Sequence, residues 1–233
     1  MADKTQWATA VIKVGAGRGF VVGNRRERFV VTAGHCLPEL PPYHAASYTE
    51  ERTYGALLGP IDGDQIVCAE CLFADPIADI AVLGTPDGQE LYDEAQAYET
   101  LVGGATPVPI AELTLVRPPI TLSTGATMFG RPMAESEGWM LSLDGRWFRC
   151  DVTATSRSLW IANAAEAIEE GMSGSPIVDE VGKALGVVCI SAGFKTADGR
   201  EMGKPREGGP NPLLTACLPG WLLSELSEAD EDE

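Results

Sequence analysis

Short apolar runs that stop at glycine or proline recur along most of the chain, and this punctuation limits the fold more than any other feature. The runs at 8–14, Phe20–Val22, Phe29–Val31, 53–58 and 65–73 suit strands and are too short for ordinary helices. Another begins at Ile80, and a second series follows at Thr124–Phe129, 138–143, 146–155, 158–162, 175–179 and 184–191. The turns between them draw on 26 glycines and 16 prolines in 233 residues. Gly15–Gly19 reads as one such turn; no Gly-Lys-Ser/Thr follows it, so it is not a phosphate loop. Helical spacing is confined to two stretches. From Gln89 to Val102, the residues Leu91, Ala95, Tyr98 and Val102 recur about one turn apart, and Gly103-Gly104 ends the pattern. The other helix starts at Leu213 or at Pro219 and runs to Leu226. Residues 105–120 carry Pro107, Pro109, Pro118 and Pro119 and read as an extended connection between two halves, 1–110 and 111–233. Residues 193–211 read as a long loop. The expectation is an all-β chain with few helices.

The bulk chemistry excludes several classes of function. A hydrophobic content of 45% supports a substantial core. A formal net charge of -17 leaves no broad basic surface for nucleic acid or an anionic membrane. No apolar run approaches the ~18 residues of a membrane span, and no signal-like leader follows Met1, so a cytoplasmic location is expected. Cys36, Cys68, Cys71, Cys150, Cys189 and Cys217 lack the spacing of a small disulfide scaffold, which agrees with a reducing compartment. Cys68 and Cys71 form a CxxC pair, but there is no second pair and His35 and His44 are the only histidines. These thiols read as buried rather than zinc-bound, and no metal or other cofactor is expected.

Three separated motifs carry chemistry. Gly171-Met172-Ser173-Gly174-Ser175-Pro176 is a turn in which glycines allow unusual backbone angles and a serine projects from a rigid bend. Thr32-Ala33-Gly34-His35-Cys36 places a histidine at the end of an apolar strand. Asp79 precedes the apolar run Ile80–Leu83, which draws it toward the core, where a carboxylate needs a partner. His44 lies in the proline-rich loop that follows Pro41 and Pro42 and reads as solvated. A serine hydroxyl attacks a carbonyl only with a base at hand, and the base needs a fixed tautomer. His35 can take the proton of Ser173, Asp79 can hold His35, and the N–H groups of Gly171 and Ser173 can face the developing oxyanion. Positions 35, 79 and 173 are far apart, so this reading demands a fold that gathers them.

The three motifs, in the chain order His35, Asp79, Ser173, resemble the signatures of chymotrypsin/trypsin-like serine peptidases, and most closely the bacterial branch that includes Deg-type and other trypsin-like peptidase-domain proteins. The resemblance spans essentially the whole chain. It implies two antiparallel Greek-key β-barrels and a short C-terminal helix, with His35 and Asp79 on the first barrel and Ser173 on the second. It implies a protein or peptide substrate. It further implies that Ser191 supports the aspartate and that Ser191, Ala192 and Gly193 pair with the substrate backbone. Ala167 and Ile168 are then expected to line the primary specificity pocket, with Gly193 at its open entrance. Met172 stands where animal relatives carry the aspartate that captures a freshly cut amino terminus, so that switch is absent. No PDZ-type peptide-recognition domain is expected after the second barrel.

Specificity follows from the same positions. There is no acid at the pocket base and no histidine at Ile190, which points to a small or apolar residue before the scissile bond. Glu169 and Glu170 read either as a rim that favours basic neighbours or as a solvated turn. A second class of function stays open: a latent or inactive peptidase-fold protein that binds peptides until an activating partner orders the Ser173 loop. An α/β-hydrolase fails on motif order, because there the serine precedes the acid and the histidine.

Overall fold

The computed structural model describes residues 5–24, 27–41, 49–121, 123–189 and 209–227. A short helix, α1 (Thr5–Ala8), leads into β1 (Val11–Val14), β2 (Gly17–Gly23) and β3 (Arg28–Thr32). A second short helix, α2 (Thr49–Arg52), runs into β4 (Thr53–Pro60), and β5 (Val67–Asp75) and β6 (Ile80–Gly84) follow. These strands close into an antiparallel barrel in the order β1-β2-β3-β6-β5-β4. Closure comes from β4 pairing back onto β1, with Ile12 opposite Pro60 and Val14 opposite Leu58. The helix α3 (Tyr92–Gly103) covers the barrel, burying Ala95, Tyr98 and Val102 on one face as their spacing predicts.

The second sheet contains β9 (Ala134–Leu141), β10 (Trp147–Ala154), β11 (Ser158–Ala162), β12 (Pro176–Val178), β13 (Ala184–Val187) and β14 (Pro210–Pro212). Its order is β13-β12-β9-β10-β11-β14, and a bridge between Gly186 and Leu213 joins its two edges. Strand β10 shows why these residues form strands: Phe148, Cys150, Val152 and Ala154 point into the core, and the residues between them are less buried. Asp144-Gly145 turns β9 into β10. Gly145 has φ +81 and Ser142 N–H donates to Arg146 O, the form of a hairpin loop whose last residue is left-handed.

One buried apolar cluster joins the barrels, running from Phe20, Val31 and Leu83 of the first to Leu141, Val178 and Val187 of the second. Both ends of the described chain cross over. Trp7 of α1 lies against the β12–β13 hairpin, where a Cβ on Gly182 would sit 1.9 Å from its ring. Two further helices follow: α4 (Leu214–Cys217) packs on β13, and α5 (Gly220–Ser227) reaches β2 of the first barrel. Leu222 is fully buried in the shared cluster, and the Trp221 ring meets Phe29 edge-on at 5.7 Å. Among the described residues no helix is long and apolar enough to cross a membrane.

Several expected boundaries move. The Gly15–Gly19 turn contracts to Gly15-Ala16, because Gly17 already pairs with Val14. The run Thr124–Phe129 does not open the second barrel. Instead β8 (Thr127–Phe129) pairs with β7 (Pro119–Thr121) in a separate ribbon, all of whose strand residues are exposed. The terminal helix is two helices, since Pro219 lacks the N–H that a continuous helix would use.

Candidate active site

The histidine and the aspartate meet because their strands are neighbours. β3 and β6 are antiparallel and Thr32 lies opposite Ala81. Continuing that register past the strand ends sets Gly34 across from Asp79. β3 runs into a single 3-10 turn, Gly34–Cys36, which carries His35. Asp79 adopts φ +56, a left-handed conformation that aspartate tolerates better than most residues. Its carboxylate then accepts two hydrogen bonds from the same residue. His35 N–H donates to Oδ1 at 2.9 Å, and His35 Nδ1 lies 2.8 Å from Oδ2. With Nδ1 as the donor, the imidazole presents an unprotonated Nε2. Gly34 packs closely beside this pair, where a Cβ would come within 3.3 Å of Asp79 Oδ1.

Two consecutive turns build the serine loop. Met172 N–H donates to Glu169 O at 3.2 Å, with Gly171 at φ +92 in the third position. Ser175 N–H donates to Met172 O at 3.0 Å, with Gly174 at φ +84 in the third position. Positive φ at that position is the type II form, which glycine adopts freely. Met172 is buried in the second core, and its sulfur accepts from Glu169 N–H at 3.3 Å. Gly174 N–H donates to Val188 O at 2.7 Å and Val188 N–H donates to Ser175 O at 2.8 Å, which ties the loop to the residue that follows β13. Among the described residues neither Gly171 N–H nor Ser173 N–H donates to a backbone carbonyl.

His35, Gly171 and Ser173 line one pocket of about 400 Å³, with Ile168, Glu169 and Glu170 from the preceding segment and Ala16, Cys36 and Cys189 completing it. Among the described residues no hydrogen bond joins Ser173 Oγ to the imidazole. Ala167 is exposed and is not among the residues that line this pocket. Residues 163–168 alternate between outward and inward, so Ala164 and Ile168 pack inward while Ala167 points to solvent. Ser191, Ala192, Gly193 and His44 lie outside the described residues. Cys68 and Cys71, three apart on β5, point to opposite faces of the strand, which does not suit a shared ion.

Sequence reasoning missed the two thiols of this pocket. Cys189 Sγ lies 3.6 Å from Asp79 O, and Cys36 Sγ lies 3.6 Å from Ser173 O. Burial pushes both thiols above the ordinary range, and Asp79 adds to the shift at each. They are therefore held protonated and are poor nucleophiles. Arg18 was missed as well, although a lone charge between Gly17 and Gly19 in an apolar run is a legible signal.

Residues 17–187 match the family described as Trypsin-like peptidase domain. No curated protein matches the chain. Among solved structures, the chain is similar to the crystal structure of Rv3671c from M. tuberculosis H37Rv, a serine-to-alanine mutant in an inactive form. That match has 16% identity over 99% of this chain and 91% of that one, with a TM-score of 0.44. The matched family segment contains His35, Asp79 and Ser173 and most of both sheets, and the chain belongs to the trypsin-like peptidase domain family.

Proposed function

We propose that this protein is a serine endopeptidase working through His35, Asp79 and Ser173. The observation that carries the reading is the double grip of Asp79 on His35, through N–H at 2.9 Å and Nδ1 at 2.8 Å. That grip fixes the tautomer a general base requires. Ser173 Oγ attacks the scissile carbonyl as His35 Nε2 takes its proton. The oxyanion is met by the N–H groups of Gly171 and Ser173, where one such donor typically contributes ~3 kcal/mol. His35 then passes the proton to the leaving amine, and an acyl-enzyme forms on Ser173. Water, deprotonated by His35, releases the acid and restores the serine.

Ile168 in the pocket supports a small or apolar residue before the scissile bond. Glu169 and Glu170, exposed at the same pocket, favour a basic residue nearby. Six free cysteines support action in a reducing compartment such as the cytoplasm. One observation favours a second reading. Ser173 Oγ makes no hydrogen bond to His35 among the described residues, as in a latent protein that binds peptide until a partner tightens the loop. Such contacts also lengthen in unliganded enzymes.

Fluorophosphonate labelling separates the two. Wild type and Ser175→Ala are expected to label and Ser173→Ala is not. Labelling that survives in Ser173→Ala removes Ser173 as nucleophile, and absence of labelling in wild type favours the latent form.

A further inference from the structure

Arg18 is 5% exposed, a charged side chain inside a strand of the first barrel. A buried guanidinium needs acceptors. They come from the other barrel: Nη1 donates to Leu141 O and Ser142 O, both at 3.0 Å, and Nη2 donates to Leu143 O at 3.3 Å. Among the described residues no carboxylate lies within ion-pair distance of it, so three backbone carbonyls at the end of β9 solvate the charge. Burial lowers its proton affinity and Asp62 opposes that, but an arginine stays charged throughout.

The main chain of the same residue grips the serine loop. Arg18 N–H donates to Ser173 O at 2.7 Å. Arg18 O accepts from Thr32 Oγ1 at 2.6 Å and presses on Gly174, where a Cβ would fall 1.7 Å away. The hairpin held by the guanidinium reaches the loop from another side. Leu143 Cδ2 lies 3.6 Å from the place a Cβ on Gly171 would occupy. Met172, between Gly171 and Ser173, is an apolar core residue and offers no charge to an ion pair.

We propose that Arg18 is a positioning residue: from the first barrel it holds both the Ser173 turn and, through the Leu141–Leu143 hairpin, the Gly171 turn in working geometry. The inference rests on the hydrolase reading above. Its mechanism is mechanical, because Arg18 touches no reacting atom. The planar guanidinium spans three carbonyls, which a lysine ammonium cannot do equally well.

The test uses the full chain, the p-nitrophenyl ester of N-blocked alanine as substrate, and fluorophosphonate titration to count working sites. Wild-type labelling checks the hydrolase reading first, and its absence overturns both. Arg18→Met is expected to lower kcat per titrated site about 10-fold to 100-fold, the scale of a small misplacement of catalytic groups. KM is expected to stay within about twofold, since the lost interaction acts in the transition state. Arg18→Lys recovers part of the loss. Leu143→Ala, at a half-exposed side chain, lowers kcat per site in the same direction, and its effect is not additive with Arg18→Met. A lower melting temperature with unchanged kcat per titrated site makes Arg18 merely structural and overturns the proposal. A change confined to KM, or strict additivity with Leu143→Ala, overturns it too. If Arg18→Met does not fold, Leu143→Ala with unchanged kcat per site is sufficient to reject it.

Discussion

Gly174 has no room for a side chain. A methyl group there would overlap Arg18 O at 1.7 Å and Thr32 Oγ1 at 2.6 Å, and the backbone sits at φ +84. Gly174→Ala is expected to cost about 2 kcal/mol or more of stability from the left-handed conformation alone, read as a shift of the urea midpoint. It should also slow fluorophosphonate labelling, because Ser173 cannot keep its place while Arg18 retreats. Ser175, two residues from Ser173, behaves oppositely. Its hydroxyl is fully buried with no partner among the described residues, so Ser175→Ala is expected to be neutral or to stabilise by about 1 kcal/mol. The turn at 171–176 was readable from its glycines. The outward turn of Ala167 was not, because it depends on how the whole 163–168 segment lies on the second core.

At the scale of elements, the pairing of β3 with β6 does most to build the site. Asp79→Asn keeps a residue type that tolerates φ +56, so the fold is expected to survive. The amide cannot accept from both His35 N–H and Nδ1–H as the carboxylate does, and kcat is expected to fall by a factor on the order of 10⁴ from the wrong tautomer. A loss below tenfold would leave the Asp79–His35 contact without a catalytic part. On β5, Glu70 is buried and paired with Arg52 at 2.7 Å. Burial raises its pKa, and Arg52 opposes the shift. A carboxyl raised above its unfolded value of about 4.3 contributes stability that is complete below that value and lost as pH rises through the folded value. Glu70→Gln should therefore flatten the fall in stability as pH rises above the ordinary glutamate range, which paired urea titrations measure; parallel profiles in wild type and variant would contradict it. Strand positions were readable here because apolar runs and turn residues are local. The separation of β7 and β8 from the barrel was not, because both β8 and a barrel strand look alike as short apolar segments.

The whole molecule is tied by crossings that no local pattern reveals. Trp7 is 4% exposed against the second barrel, and its ring fits only because residue 182 is glycine. Trp7→Ala is expected to destabilise by about 3–5 kcal/mol, measured by thermal or urea unfolding. Because one apolar cluster serves both barrels, circular dichroism and tryptophan fluorescence are expected to report one coincident transition rather than two. Two sets of strands were legible from the apolar runs, but the core they share was not, since it is made by residues distant in sequence. The return of α5 has a further consequence, for the order in which the protein comes into being. Phe29 and its neighbours reach solvent first, and the helix that meets them through Trp221 is made almost two hundred residues later. A nascent chain therefore carries the His35 half with an uncovered apolar wall through most of its synthesis. That wall closes only when residue 222 has left the ribosome, so the pace of translation sets how long the shared core stays open.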